Sequence, residues 1–228
     1  MKIPAHAPLH LLHQTSSGTL ATHAREPQGF PYPTLLPFAP DARHRPVILV
    51  SRLAEHTRNL QDDPRAGFLV AQTGDGDVLN APRMTLLGRF ERSDAQETEA
   101  GFDAGALARR YLRYHPDAER YLALGDFTFW TMRVERLRYI GGFGAMGWLD
   151  GADLDTLEPL AAADEEALIH FFETHPARRD GLALRGVDRH GADLAIDGVP
   201  ARYVFEAPQN DTQSLHVVLA DCLARHAR

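Results

Sequence analysis

The stretch Pro46-Val-Ile-Leu-Val-Ser-Arg-Leu-Ala-Glu-His-Thr-Arg-Asn-Leu-Gln-Asp-Asp-Pro-Arg65 sets the reading of the whole chain. Val47 to Ser51 is apolar, β-branched and closed by a serine, the composition of a buried strand. From Arg52 the spacing changes: Leu53, His56, Thr57 and Leu60 recur at helical intervals to Asp62, and Asp63-Pro64 stops the run. A strand that ends in a hydroxyl and feeds a polar helix start gathers Ser51, Arg52, His56, Thr57 and Arg58 near backbone N–H groups. Such a junction can hold a phosphate without a glycine loop or a lysine. A solvated helix with an ordinary cap would have the same pattern.

Outward from this stretch, Pro8 to Thr15 predicts a short helix with Leu9, Leu12 and His13 on one face, closed by Ser16-Ser17-Gly18. Thr19 to His23 predicts a strand and Glu26-Pro27-Gln28-Gly29 a turn. Tyr32 to Phe38 predicts an extended run that Pro31, Pro33 and Pro37 confine to an edge. Gly67 to Gln72 and Met84 to Arg92 predict strands around a Gly74-Asp75-Gly76-Asp77 turn. Phe127 to Val134, apolar on both faces, predicts a buried strand. Gln96 to Leu124 has helical spacing, with Leu107, Tyr111 and Tyr114 on one face and a break at His115-Pro116. Short strands with helices inserted between them point to a barrel rather than alternating βαβ units.

Composition shifts after Trp148-Leu149-Asp150-Gly151, so residues 1–150 and 156–228 are expected to form separate domains. In the second, Asp164 opens a helix with Leu168, Phe171, Phe172 and His175 on one face. Asp197-Gly198 signals a hairpin and Pro200 an edge strand. Asp211 or Thr212 caps a last helix striped with Leu215, Val218, Leu219, Cys222 and Leu223.

With 228 residues, 44% hydrophobic and 24% charged, the chain has the make-up of a globular protein. A net charge of -7 argues against the broad basic face of a nucleic-acid binder. Lys2 is the only lysine among 24 basic residues, which excludes Schiff-base chemistry on an interior lysine and a phosphate-loop lysine. The single cysteine, Cys222, excludes an internal disulfide, a thiolate zinc site and a cysteine-held iron–sulfur cluster, and fits a reducing cytoplasm. There is no signal-peptide core or membrane-length apolar run, so neither export nor membrane insertion is expected. His10 and His13, spaced i, i+3, could share a metal, but His13 sits on the apolar stripe and no metal site is expected.

Together with Tyr32-Pro-Thr-Leu-Leu-Pro-Phe-Ala-Pro-Asp41, Pro82-Arg-Met-Thr-Leu-Leu-Gly-Arg89, Gly125-Asp-Phe and Gly141-Gly-Phe-Gly144, the opening stretch resembles the flavin-binding split-barrel family. That family includes pyridoxamine 5′-phosphate oxidase and relatives in haem utilisation. The motifs run in order over residues 8–150, about two-thirds of the chain. The resemblance implies an α+β fold: a six-stranded antiparallel split β-barrel with inserted helices, here followed by a small α+β module. It also implies a homodimer through the barrel, with FMN at the interface. By the same resemblance the flavin phosphate would be held near Thr34, Ser51, His56 and Thr57, beside the charges of Arg52 and Arg58, and Arg83 and Thr85 would lie near the flavin.

The chain also departs from the family pattern. Its only Arg-x-His, Arg113-Tyr114-His115, lies in a helical stretch rather than near the chain end, which disfavours pyridoxamine phosphate oxidation. Ala145 and Met146 follow the Gly-Phe-Gly signature, where relatives tend to carry a basic residue. The tail resembles the small domain attached to haem-utilisation split barrels and keeps His170 and His175 of its His-Met-Asn-x-Asp-His sequence, but not the Asn and Asp. Spacing of i, i+5 does not stack two imidazoles on one helical face, so these two are expected to be structural.

Three functions remain open. An FMN-binding oxidoreductase acting on an unknown small molecule leads. The first alternative is haem binding or degradation, with His216 or His226 as axial ligand if the tail folds back. The other is a non-enzymatic dimer that has lost its cofactor.

Overall fold

The computed structural model describes residues 3, 6–72, 77–93, 103–142 and 144–226. Residues 74–76 of the expected turn, 96–102 of the expected helix and Phe143 of the glycine signature lie outside the described residues. The chain divides into two compact units, residues 1–156 and 157–228.

In the first unit, β1 (Ser17–His23) pairs with β2 (Pro31–Pro37) on one side and β5 (Arg65–Ala71) on the other. Beyond β5 come β6 (Arg83–Arg92), β7 (Phe127–Ile140), β4 (Pro46–Ser51) and the two-residue β3 (Ala39–Pro40). The short β8 (Met146–Asp150) adds to β7, and every pairing is antiparallel. The fold is the split barrel that the sequence implies, its long strands being β1, β2, β4, β5, β6 and β7.

β2 and β3 lie at opposite ends of this sheet, yet only Phe38 separates them in the chain. One segment therefore pairs with both ends, and the sheet has to curl until they meet. Phe38 is fully buried at the join; its N–H donates to the Ser16 carbonyl at 3.1 Å and its carbonyl faces the His115 imidazole at 2.7 Å. Pro31, Pro33 and Pro37 share one parity, so Tyr32, Thr34 and Leu36 supply the ladder to β1 and the missing N–H groups fall on the free edge.

The concave side holds the core. Leu9, Leu11 and Leu12 of α1 (Ala7–Gln14) pack with Leu20, Ile48, Met84, Leu86, Met132 and Leu137. Each large apolar side chain buried this way contributes about 1.5–3 kcal/mol. Phe38, Phe68 and Phe90 meet edge to face at 5.2 and 5.8 Å. β7 runs past the expected end at Val134, because the extra residue Glu135 resets the alternation so that Leu137 and Tyr139 point inward. Opposite the Leu87–Gly88 step the register skips Glu135, a bulge that bends β7 with the curl; a Cβ at Gly88 would lie 2.1 Å from the Arg133 carbonyl oxygen.

α2 (Glu55–Asp62) starts later than the spacing of Leu53 suggests, because Ser51 to Ala54 form a turn closed by the Ala54 N–H to the Ser51 carbonyl at 3.2 Å. α3 (Ala104–Tyr114) is capped by Asp103 and packs Leu107, Tyr111 and Tyr114 against Ala39 and Val47. A 3-10 turn at Pro116–Ala118 leads into the short α4 (Glu119–Leu122).

The second unit comprises α5 (Ala162–Thr174), β9 (Leu182–Val187), β10 (Gly191–Ile196), β11 (Val199–Val204) and α6 (Thr212–Arg225), with sheet order β11-β10-β9. Asp197 and Gly198 both have positive φ, 52° and 82°, as a two-residue hairpin turn requires. Asp211 caps α6 by accepting the Ser214 N–H at 2.7 Å. Burial pushes the Cys222 thiol up to about 12, which keeps it unreactive. Strand β9 has no counterpart in the sequence reading, because Arg185-Gly186 interrupts its apolar run.

The Arg202 side chain is fully buried in this unit, 2.6 Å from Asp193 and 2.9 Å from Asp188. Burial alone would lower its pKa, but the two carboxylates outweigh that and hold the guanidinium charged. Arg202→Met removes the cation that two buried carboxylates share and should destabilise the second unit by about 3–5 kcal/mol, read as accelerated amide exchange across β9, β10 and β11. Adding Asp188→Asn and Asp193→Asn should recover much of the loss.

Candidate functional site

The strand-to-helix junction is built, but its donors are largely committed. The Ser51 hydroxyl donates to the Asp126 carboxylate and also accepts the Leu53 N–H at 3.0 Å. The Arg52 N–H donates to the Asp126 carbonyl at 2.9 Å. A carboxylate beside Ser51 opposes an incoming phosphate, which needs donors and positive charge. Thr57 is fully buried and half-buried His56 faces inward, whereas Arg52 and Arg58 are exposed. Ala54 gives α2 no side-chain cap, so its first N–H groups stay open to an anion.

The remaining expected flavin contacts lie elsewhere. Thr34 faces the concave side, two pairs along β1 from Thr22, whose hydroxyl accepts from Asn59 at 3.0 Å. Asn59, fully buried on α2, has no counterpart in the sequence reading. Arg83 donates to the carbonyls of Val78, Leu79 and Ala81 at 3.0–3.2 Å and so closes a loop. Thr85 lies on the convex face opposite Arg138, whereas Ser51 lies opposite Phe127. These two partners stand far apart on β7, roughly 35 Å along the strand at about 3.3 Å per residue. Ser51 and Thr85 of one chain therefore do not meet around one small molecule.

The convex face of β1, β5 and β6 carries a groove of about 410 Å³, within the range of small-molecule sites. Ala21 and Gly67, directly paired, make its floor; Leu87 and Pro31 are apolar walls; His23, Arg65 and Glu135 stand at the rim. A Cβ added at Gly67 would meet nothing closer than 3.9 Å, so the space above it is open. Arg65 bonds Asp63 at 2.6 Å and Arg89 bonds Glu135 at 3.2 Å. Next to Leu87 in the register comes Arg136, its guanidinium 4.8 Å over the Trp148 ring. This face concentrates Arg65, Arg89, Arg133, Arg136 and Arg138 in a chain of net charge -7.

Most other histidines have evident partners. His13 Nε2 meets His44 Nδ1 at 2.8 Å, and His44 Nε2 meets Asp155 at 3.0 Å, a buried chain joining α1 to the end of the first unit. With the His44 Nε2–H given to Asp155, its Nδ1 accepts from His13. His44 holds a left-handed backbone, φ 60°, in the turn that Asp41 closes by accepting the N–H groups of Arg43 and Arg45. In the second unit His216 and His226 bond the carbonyls of Thr212 and Cys222 through Nδ1, and His175 accepts the Ala177 N–H.

Comparison with known proteins gives the following. The family model described as CREG, beta-barrel matches residues 4–155. The chain is 32% identical over 132 residues to the chloroplastic haem oxygenase HOZ of Arabidopsis thaliana, a match covering 58% of this chain and 38% of that protein. The chain thus spans well under half of that relative. A protein of unknown function from Agrobacterium tumefaciens superposes with a TM-score of 0.73 at 25% identity, covering 92% of this chain and 91% of that one. A haem-binding protein from Mycobacterium smegmatis superposes with a TM-score of 0.58 at 29% identity, over 100% of this chain and 99% of that one.

At the junction, burial lowers the His56 pKa, and its Nε2 is buried without a partner. The unfolded chain takes up this proton below about pH 6.5, where the folded protein still resists it. Stability is therefore complete above that pH and falls below it. The melting temperature should drop between about pH 7 and about pH 5, and His56→Gln should flatten the drop.

Proposed function

Because the chain belongs to the CREG beta-barrel family, whose fold is a split barrel, we propose that it is a haem-binding protein whose ligand lies in the groove on the convex face. The observation that carries this reading is the make-up of the groove: a small-residue floor, apolar walls, one imidazole, and Arg65 and Glu135 at the rim, with further arginines on the same sheet face. A porphyrin is a flat apolar ring with two carboxylate arms and a metal, and each of these features has its complement there. The haem oxygenase and the haem-binding protein among its relatives support the same ligand class. Bound haem would supply iron-centred redox and ligand chemistry. The chain's own residues would cover one side of the ring and set guanidinium groups against its carboxylates. Oxidative haem degradation is the enzymatic form of the same reading.

FMN is the second reading, favoured by the uncapped start of α2 beside Arg52 and Arg58. Either ligand fits a homodimer through the barrel. Leu35 and Leu69 are 72% and 41% exposed on the convex face, and Phe30 beside it is 62% exposed, an apolar patch that a second copy of the chain would cover. No helix among the described residues is long and apolar enough to cross a membrane, and the single buried thiol fits a reducing compartment such as the cytoplasm.

Haemin titration followed by absorbance tests the ligand. Wild type should give a shifted, saturable Soret band, and Gly67→Val should abolish it while leaving the circular dichroism unchanged, because a branched residue suits a strand and fills the floor. Saturable FMN binding with no response to haemin would replace the haem reading with the flavin one. Light scattering at micromolar concentration should report two copies per particle, and Leu69→Arg should shift the mass toward one.

A further inference from the structure

We propose that His23 is the axial ligand to the haem iron, an inference that rests on the haem reading above and deepens it. His23 ends β1 on the convex face, is exposed, and lines the groove. Side chains stand roughly perpendicular to a sheet, so an imidazole beside alanine and glycine projects above its neighbours toward whatever covers them. Its backbone is paired with Pro31, so the ligand is carried by a strand rather than a mobile loop.

Several other imidazoles are already buried or hydrogen-bonded. His13 and His44 are buried against each other, His115 faces the Phe38 carbonyl at 2.7 Å, and His190 is buried. His216 and His226 bond carbonyls of their own helix through Nδ1. The cations complete the complement: Arg136 on β7 lies about three strand spacings from Ala21, roughly 14 Å, so metal ligand and carboxylate partner occupy different parts of one face.

The experiment is haemin titration of the full-length chain, read by absorbance and electron paramagnetic resonance, with His23→Ala beside His216→Ala and His226→Ala. His23 is exposed, so its variant should keep the wild-type circular dichroism. The expected result is a displaced Soret band and lost imidazole-ligated signature in His23→Ala alone, both restored by added free imidazole. A His23→Ala protein with the wild-type spectrum overturns the assignment while leaving haem binding intact. Loss of the signature in His216→Ala or His226→Ala, with His23→Ala unchanged, moves the ligand to that residue. A wild type that binds no haemin overturns the haem reading itself.

Discussion

One segment, residues 31–40, pairs with both ends of the sheet, and the rest of the first unit depends on that closure. A sheet joined to itself has to curl, and curling gives its faces different tasks. The concave side becomes narrow and is filled by α1 leucines, a phenylalanine cluster and the long aliphatic residues of β5, β6 and β7. Among the described residues of the first unit, the small residues Ala21 and Gly67 on the convex side of β1 and β5 leave open floor. The bulge at Gly88 serves the same closure, because β6 and β7 approach too closely there for any Cβ.

The elements that were legible from sequence share a local signal. α1, β4, β5, the Asp197-Gly198 hairpin and the Asp211 cap are each set by a few adjacent residues whose conformational preference agrees with the fold. The edge position of β2 followed from prolines of one parity. β9 escaped because glycine and arginine break its apolar pattern, and its burial comes from α5 and α6, which lie far along the sequence. The start of α2 was misplaced because Leu53 falls on the helical stripe by spacing yet is 70% exposed in a turn.

The candidate site was less legible, for a geometric reason. A groove on a sheet face is made by register, and register joins residues such as Ala21, Gly67 and Leu87 that no spacing rule associates. The chain His13, His44 and Asp155 is likewise assembled from three distant positions. Composition told only that twelve histidines were available. Which of them are buried, bonded to carbonyls or open to a ligand is decided by the fold.

Residue types at a suggestive spacing therefore locate a chemistry only when their donors remain unspent. Ser51 has the hydroxyl that a phosphate dock needs, but the proton goes to Asp126, and Arg83 has the charge but gives it to three loop carbonyls. Net charge misleads in the opposite sense. A chain of -7 suggests a surface that repels anions, yet strand alternation in β5 and β6, with the extra residue Glu135 shifting parity in β7, turns Arg65, Arg89, Arg133, Arg136 and Arg138 to one face. Fields decay within about 8–10 Å at physiological ionic strength. A ligand at the groove consequently responds to these arginines and to Asp63, Glu135 and Asp150 beside them, not to distant acidic residues. The face opposite the core is also where the fold gathers these cations, several of them already paired: Arg65 with Asp63, Arg89 with Glu135 and Arg136 with Asp150.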